Sequence, residues 1–159
     1  MKTTDTHVYF YGQKDIYSNW YNCHFKDPLS GIHFENTEQA FMWYKADFFG
    51  DTETAGIIDH APDPAQVKQL GRGVKNYDDK VWGIMRYGFM VYVNYLKFSQ
   101  NPFSGQTLRL TEERILVEAS PTDLVWGAGI GESNAALLDE KNWRGQNLLG
   151  KALMDVRKI

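Results

Sequence analysis

A long amphipathic stretch opened by Asp78 constrains this chain more than any other feature. Val81, Met85, Phe89, Tyr92 and Leu96 recur there every three or four residues, the spacing of one buried stripe on a helix. A stripe of that length must be covered by other elements, and the flanking sequence supplies helix punctuation. Asp63-Pro64-Ala65-Gln66 combines an N-cap aspartate with proline at the first helical position and glutamine at the third, and Gly71 to Gly73 closes that short helix. Asn36 or Thr37 caps another that begins near Glu38, with Gln39 three residues after Asn36 as in a capping box; Gly50 ends it. Ser104 to Glu112 reads as a further short helix, and a last one buries Leu149, Ala152, Leu153 and Val156 on one face.

Strands are few. Val8–Tyr11 is a short β-branched and aromatic run, and Ser18–Phe25 is an aromatic stretch closed by the turn signal Asp27-Pro28-Leu29-Ser30-Gly31, so two or three short strands open the fold. Ile115–Glu118 suits one more strand, entering the turn Ser120-Pro121-Thr122-Asp123. Gly127 to about Asn142 reads as a polar, glycine-rich loop. The pattern predicts a mainly α (α+β) fold. At 159 residues it suits one domain, and 43% hydrophobic residues are enough to build one core.

A net charge of −3 argues against coating nucleic acid through broad phosphate neutralisation, while leaving room for a local cationic pocket. One cysteine, Cys23, excludes an internal disulfide and a multi-cysteine metal site, and the four histidines have no metal-binding spacing. No metal or cofactor is expected. No stretch approaches the roughly 18 unbroken apolar residues of a membrane span, and the polar start lacks a signal-peptide core. A soluble protein of the reducing cytoplasm, without a membrane partner, is the expectation.

Three places carry candidate chemistry. On the Asn36 helix, Glu38, Phe41 or Met42, and Lys45 share one face, so a carboxylate and an amine flank an apolar strip; Trp43 and Tyr44 make the other sides apolar too, which implies burial. Glu118 and Asp123 bracket a Ser-Pro turn at a strand end, where they could serve a site or could cap a helix and make an Asx turn. Trp126 stands beside Gly127 and Gly129, where the backbone leaves space for a planar group under the indole. Arg72 between Gly71 and Gly73, and Arg144 just ahead of Asn147 at a helix start, offer guanidinium forks for phosphate. Trp82 and Trp126 could bound a base, although Trp82 adjoins the long apolar stripe and could equally be core. Gly127-Ala128-Gly129-Ile130-Gly131 precedes a polar loop and opens no helix, so it is not a dinucleotide fingerprint.

In order along nearly the whole chain, Tyr9-Phe10-Tyr11, Ser18-Asn19-Trp20, Thr37-Glu38 with Lys45, Leu70-Gly71-Arg72, Trp82, Lys97-Phe98, Leu116–Pro121, Asp123, Trp126-Gly127 and the closing WRGQNLLGKALMDVR resemble the NADAR family, also called YbiA-like. The resemblance implies a helical single domain over 1–159 with a small β component, acting as an N-glycosidase on ribosylated bases or nucleotides. One branch is similar to enzymes that remove ADP-ribose from guanine in nucleic acid, reversing an ADP-ribosyltransferase toxin; another hydrolyses phosphoribosylamino-pyrimidine intermediates of riboflavin synthesis. Thr37-Glu38-Gln39 departs from the Ser-Glu-His of the second branch, and the loop between Gly127 and Trp143 is longer, which favours the first.

Breaking a ribosyl C–N bond builds positive charge on the sugar, which calls for a nearby carboxylate. Glu38 is the candidate sugar-side carboxylate or base, Lys45 the candidate nucleophile through its matched family position, and Asp123 a further catalytic carboxylate. Asn19, Arg72, Trp82, Glu118, Trp126, Gly127, Arg144 and Asn147 are the expected substrate-binding residues. The attacking amine must be neutral; ionised Glu38 nearby would raise its pKa and desolvation would lower it. A non-catalytic ADP-ribose reader and an interaction module are the competing classes, and neither needs both Glu38 and Lys45.

Overall fold

The structure, a computed structural model, describes residues 1–61 and 63–159. Along the chain run β1 (Lys2–Thr3), β2 (His7–Phe10), β3 (Phe25–Lys26), β4 (His33–Phe34), α1 (Thr37–Phe48), α2 (Thr52–Asp59), α3 (Pro64–Arg72), α4 (Asp79–Gln100), α5 (Pro102–Arg109), β5 (Ile115–Glu118) and α6 (Leu148–Lys158). Among the described residues, six α-helices against strands of two to four residues make the fold mainly α, as the periodicity predicts. The chain divides into two compact units, Met1–Tyr21 with Pro102–Ile159, and Asn22–Asn101.

The first unit holds a three-stranded sheet of order β1-β2-β5, with β1 antiparallel and β5 parallel to β2. Tyr9 and Val117 pair across it and pack with Ala119, Ala128, Ile130 and Leu137. Leu137 belongs to a short 3-10 turn, Ala135–Leu138, followed by a second at Glu140–Asn142, so the stretch expected to be a plain polar loop sends an anchor into the core. α6 buries Leu149, Ala152, Leu153 and Val156, as its spacing predicts, and it packs on β5. Gly150 permits that approach: a Cβ there would strike the Leu116 carbonyl and the Asn147 side chain. Between Ser18 and Tyr21 the chain makes turns, and the strand expected in that stretch is confined to Phe25–Lys26 in the other unit.

In the second unit β3 and β4 form an antiparallel pair around the Asp27–Gly31 turn. Asp27, fully buried, accepts from the Leu29 and Ser30 amides, the Ser30 hydroxyl and the phenols of Tyr44 on α1 and Tyr92 on α4. Burial alone would raise its pKa, but the bonds from Ser30, Tyr44 and Tyr92 outweigh it and hold the carboxyl down at about 2. One carboxylate thus ties the hairpin to two helices.

Asn36 caps α1 by accepting from the Gln39 amide at 2.9 Å. The reciprocal arm of the expected capping box is displaced by one residue, because Gln39 accepts from the Glu35 amide while its NH2 donates to the carbonyls of Ile58, Asp59 and Ala61. Gln39 therefore fastens α1 to the end of α2, a helix to which the sequence reading assigned nothing. Gly50 at φ 71° ends α1, with the Asp51 amide donating to Ala46 and the Gly50 amide to Asp47, the paired bonds of a Schellman turn. α3 starts at Asp63-Pro64 and ends on Gly73 as expected.

The expected stripe of α4 holds in its second half, where Leu96 is buried and Phe89 and Tyr92 are half-buried, and shifts in its first. Val81 and Met85 are exposed, whereas Trp82, Met90, Val93, Leu96 and Phe98 are buried. The helix is apolar on two sides, and the cluster of Phe41, Phe48, Phe49 and Phe89 selects the side carrying Trp82. Trp82 is 5% exposed and packs against phenylalanines, in keeping with the core alternative.

Candidate active site

Glu38 and Lys45 both lie on α1, two helical turns apart, about 10.5 Å along the axis at 1.5 Å per residue. The first turn of α1 is buried throughout, and Glu38 is 5% exposed. A carboxylate is not kept in such a place by solvation. Lys45, nearer the C-terminal end, is half-buried.

Packing between α1 and α3 sets the surroundings of Lys45. Gly71 lies against Met42, whose sulfur occupies the space a Cβ would need, and at this close approach the Gly71 carbonyl accepts from Lys45 Nζ at 2.8 Å. Nζ also sits over the ring of Tyr77, 4.2 Å from its centroid. Desolvation lowers the pKa of the amine below the ordinary lysine value, against an opposing pull from Asp79 in the first turn of α4. Of the two effects weighed from sequence, burial wins, and the carboxylate that opposes it is Asp79.

A second lysine, Lys97, is more deeply placed. It has no exposed surface, and burial lowers its pKa to about 8 against the pull of Cys23. With Nζ near the Phe98 ring it belongs to the interior, out of a solute's reach. Lys45 is the lysine that combines a lowered pKa with access.

Arg72, the last residue of α3, follows the glycine whose carbonyl holds Lys45, and it is exposed. It makes no hydrogen bond or ion pair among the described residues, so its fork is available to an anion.

The remaining candidates gather in the first unit around the turn after β5. Asp123 Oδ1 accepts from the amides of Val125 and Trp126 at 2.9 and 2.7 Å, and its own amide donates to Ser120 Oγ at 3.1 Å. That is the Asx-turn alternative, and it makes Asp123 the pin that orients half-buried Trp126. Gly127 is buried where a Cβ would meet Ser120 at 2.9 Å, so this glycine serves backbone packing more than ligand approach.

Arg144 donates through Nε to the Gly129 carbonyl at 2.8 Å and through Nη2 to the Gly129 and Pro121 carbonyls. Two of its three nitrogens are committed to closing the loop. Asn147 has φ 50° and makes no side-chain cap to α6; its buried amide instead accepts from Glu118 N at 3.0 Å and donates to Leu116 O at 2.9 Å, joining α6 to β5. Glu118, half-buried, has its N–H on Asn147 and its carbonyl on Ala128 N. Asn19 is buried at 6% exposure.

The structure thus collects Lys45, Gly71, Arg72 and Tyr77 in one unit and Glu118, Asp123, Trp126, Gly127, Arg144 and Asn147 in the other. Tyr77 and Asp79 escaped the sequence reading. The only local signal for Tyr77 is an aromatic residue just before the Asp78 N-cap, which reads as a hydrophobic staple. Among the described residues no group of three or more His, Cys, Asp or Glu is placed to hold a metal ion, and no helix is long and apolar enough to cross a membrane.

Comparison with known proteins adds the family. The chain is 37% identical over 164 residues to the N-glycosidase R617 of Acanthamoeba polyphaga mimivirus, spanning 98% of this chain and 96% of that one. It is 30% identical over 150 residues to the N-glycosidase Npun_R5314 of Nostoc punctiforme, spanning 90% and 89%. With the riboflavin biosynthesis protein VVA0006 of Vibrio vulnificus it shares 29% identity over 154 residues, 95% of this chain and 38% of that one. The solution structure of Escherichia coli YbiA superposes with a TM-score of 0.78 at 25% identity, covering 99% of this chain and 86% of YbiA. The NADAR domain model matches residues 9–159, and the chain belongs to the NADAR family.

Proposed function

We propose that this chain, an N-glycosidase, removes ADP-ribose from ADP-ribosylated guanine in nucleic acid through a covalent intermediate on Lys45. The observation that carries the mechanism is the half-buried Lys45 amine, its pKa lowered by desolvation, held by one carbonyl and one aromatic face. Desolvation favours the neutral form of an amine, and the neutral form is the nucleophile.

The Nζ lone pair bonds the anomeric carbon as the C1–N bond to the base breaks; the bonding pair leaves with the base, which takes up a proton. Nζ sheds a proton, and Glu38 is the proposed base for that transfer. The nitrogen lone pair then forms C=N while the C1–O4 pair passes to O4, which is protonated, leaving an iminium on the opened ribose. Water adds to C1, the amine departs, and the sugar recloses. The balance is one water consumed, one free base and one free sugar hydroxyl.

Support for a diphosphate-bearing substrate comes from Arg72, an exposed guanidinium one residue from the carbonyl that holds Lys45. With a net charge of −3 a polymer would be gripped through a few phosphates, which suits a single-stranded or flipped base. Cytoplasmic residence and an opposing ADP-ribosyltransferase toxin belong to the same reading. The relative named for riboflavin biosynthesis favours a second substrate, a phosphoribosylamino-pyrimidine, on which the same chemistry operates.

Parallel incubation with ADP-ribosylated oligonucleotide, NAD and a phosphoribosylamino-pyrimidine, followed by mass spectrometry of released base, separates these substrates. Guanine restored in the oligonucleotide supports the proposal; release from the pyrimidine alone transfers the chain to the second reading. Release from none refutes both.

A further inference from the structure

We infer that Tyr77 is a catalytic residue whose ring face stabilises the positive charge that Lys45 Nζ carries in the iminium. The inference rests on the covalent reading above, which does not itself require an aromatic group at the nitrogen. Nζ lies 4.2 Å from the Tyr77 centroid, within the range at which a ring quadrupole attracts a cation.

The ring is held there from both ends. The Tyr77 hydroxyl donates to Asp79 Oδ1 at 2.7 Å, and the ring packs edge-on against Phe49 at 5.4 Å. Asn76 before it has φ 58° and donates from Nδ2 to the Phe49 carbonyl, fixing the segment that presents the ring. Tyr77 nonetheless remains 43% exposed and Lys45 is half-buried, so solvent reaches both residues.

The chemistry explains why a ring is suited to this place. The nitrogen begins neutral, becomes cationic on bonding C1, and is cationic again as the iminium. A carboxylate in contact would favour the charged amine from the start and remove the nucleophile. A quadrupole attracts a cation more weakly, so it leaves desolvation able to lower the resting pKa. Asp79 at the start of α4 is the charged group that opposes that lowering.

The test uses Tyr77→Leu and Tyr77→Phe in the whole chain, with Lys45→Ala as control, on the ADP-ribosylated oligonucleotide or on the phosphoribosylamino-pyrimidine if that is the one turned over. Single-turnover base release is followed against pH. Tyr77→Leu should lower the plateau rate roughly three- to thirty-fold, the span of one cation–ring contact. It should also move the acidic limb to lower pH, because without the ring the resting ammonium is less stable.

Tyr77→Phe, which returns the ring, should recover the rate to within about threefold of wild type with the limb in place. A structural defect would lower the rate without displacing the limb, and thermal melts of both variants check it. Equal losses in Leu and Phe, or a limb that does not move in Leu, overturn the inference while leaving Lys45 as nucleophile. Full activity in Lys45→Ala overturns the covalent reading and the inference with it.

Discussion

Replacing Asn147 separates a structural role from a substrate-binding one. Its side chain bridges Glu118 N–H and the Leu116 carbonyl at 3.0 and 2.9 Å while 2% exposed, so truncation strands two buried backbone groups. Each orphaned group costs about 1–3 kcal/mol, and partial access of water should bring the pair to roughly 3 kcal/mol. Asn147→Gly removes the bridge but tolerates the φ of 50°; Asn147→Ala adds roughly 1 kcal/mol for a left-handed backbone. The expected order of stability in urea titration is wild type, Gly, Ala. The Gly loss would be a large share of the 5–15 kcal/mol typical of a domain. Affinity for ADP-ribose, measured well below the midpoint, should change less than about threefold, since below about 0.7 kcal/mol no direct charged contact has been lost. A loss under 1 kcal/mol in Asn147→Gly, or a tenfold weaker affinity in a fully folded variant, would refute the bridge as its main task.

Glu38→Gln should keep binding the free sugar product within a few-fold and lose about a hundredfold or more in single-turnover rate, the range of a general base; retention of the rate removes Glu38 from the chemistry. Arg72→Ala should weaken ADP-ribose by about tenfold or more in calorimetry and flatten the dependence on salt, the outcome of losing one charge-assisted contact; unchanged affinity refutes its phosphate role. Asp27, held at about 2 against an ordinary 3.8, contributes stability present above pH 3.8 and lost as pH falls through 2. Asp27→Asn should therefore be less stable at pH 7 by about 2 kcal/mol, with that difference shrinking below pH 4 in acid-denaturation curves; a constant difference contradicts the assignment.

Helix starts were legible because caps are local: Asn36, Asp63 and Asp78 lie within three residues of the amides they satisfy. α2 was missed because eight residues after a lone Asp51 cap carry a short apolar pattern, and its fastening by Gln39 comes from a residue 19 to 22 positions away. The face at the start of α4 could not be chosen from spacing, since Val81 and Met85 stand beside Trp82 and only the phenylalanines at α1 decide between them.

At the site, Glu38 and Lys45 could be singled out by the helix face they share across an apolar strip and by the NADAR resemblance. What tunes Lys45 could not, because the Gly71 carbonyl is 26 residues away in the chain and the Tyr77 ring 32. Arg144 and Asn147 were correctly seen beside a helix start. The left-handed Asn147 backbone and the Gly129 carbonyl then turned both side chains toward the protein's own backbone.

The covalent role of Lys45 is tested most directly by borohydride reduction during turnover, followed by peptide mass spectrometry. A reduced sugar adduct on Lys45 in wild type, and its absence in Lys45→Ala, is the expected result. An adduct on another lysine, an equal yield in the variant, or turnover with no adduct at any pH would contradict the account.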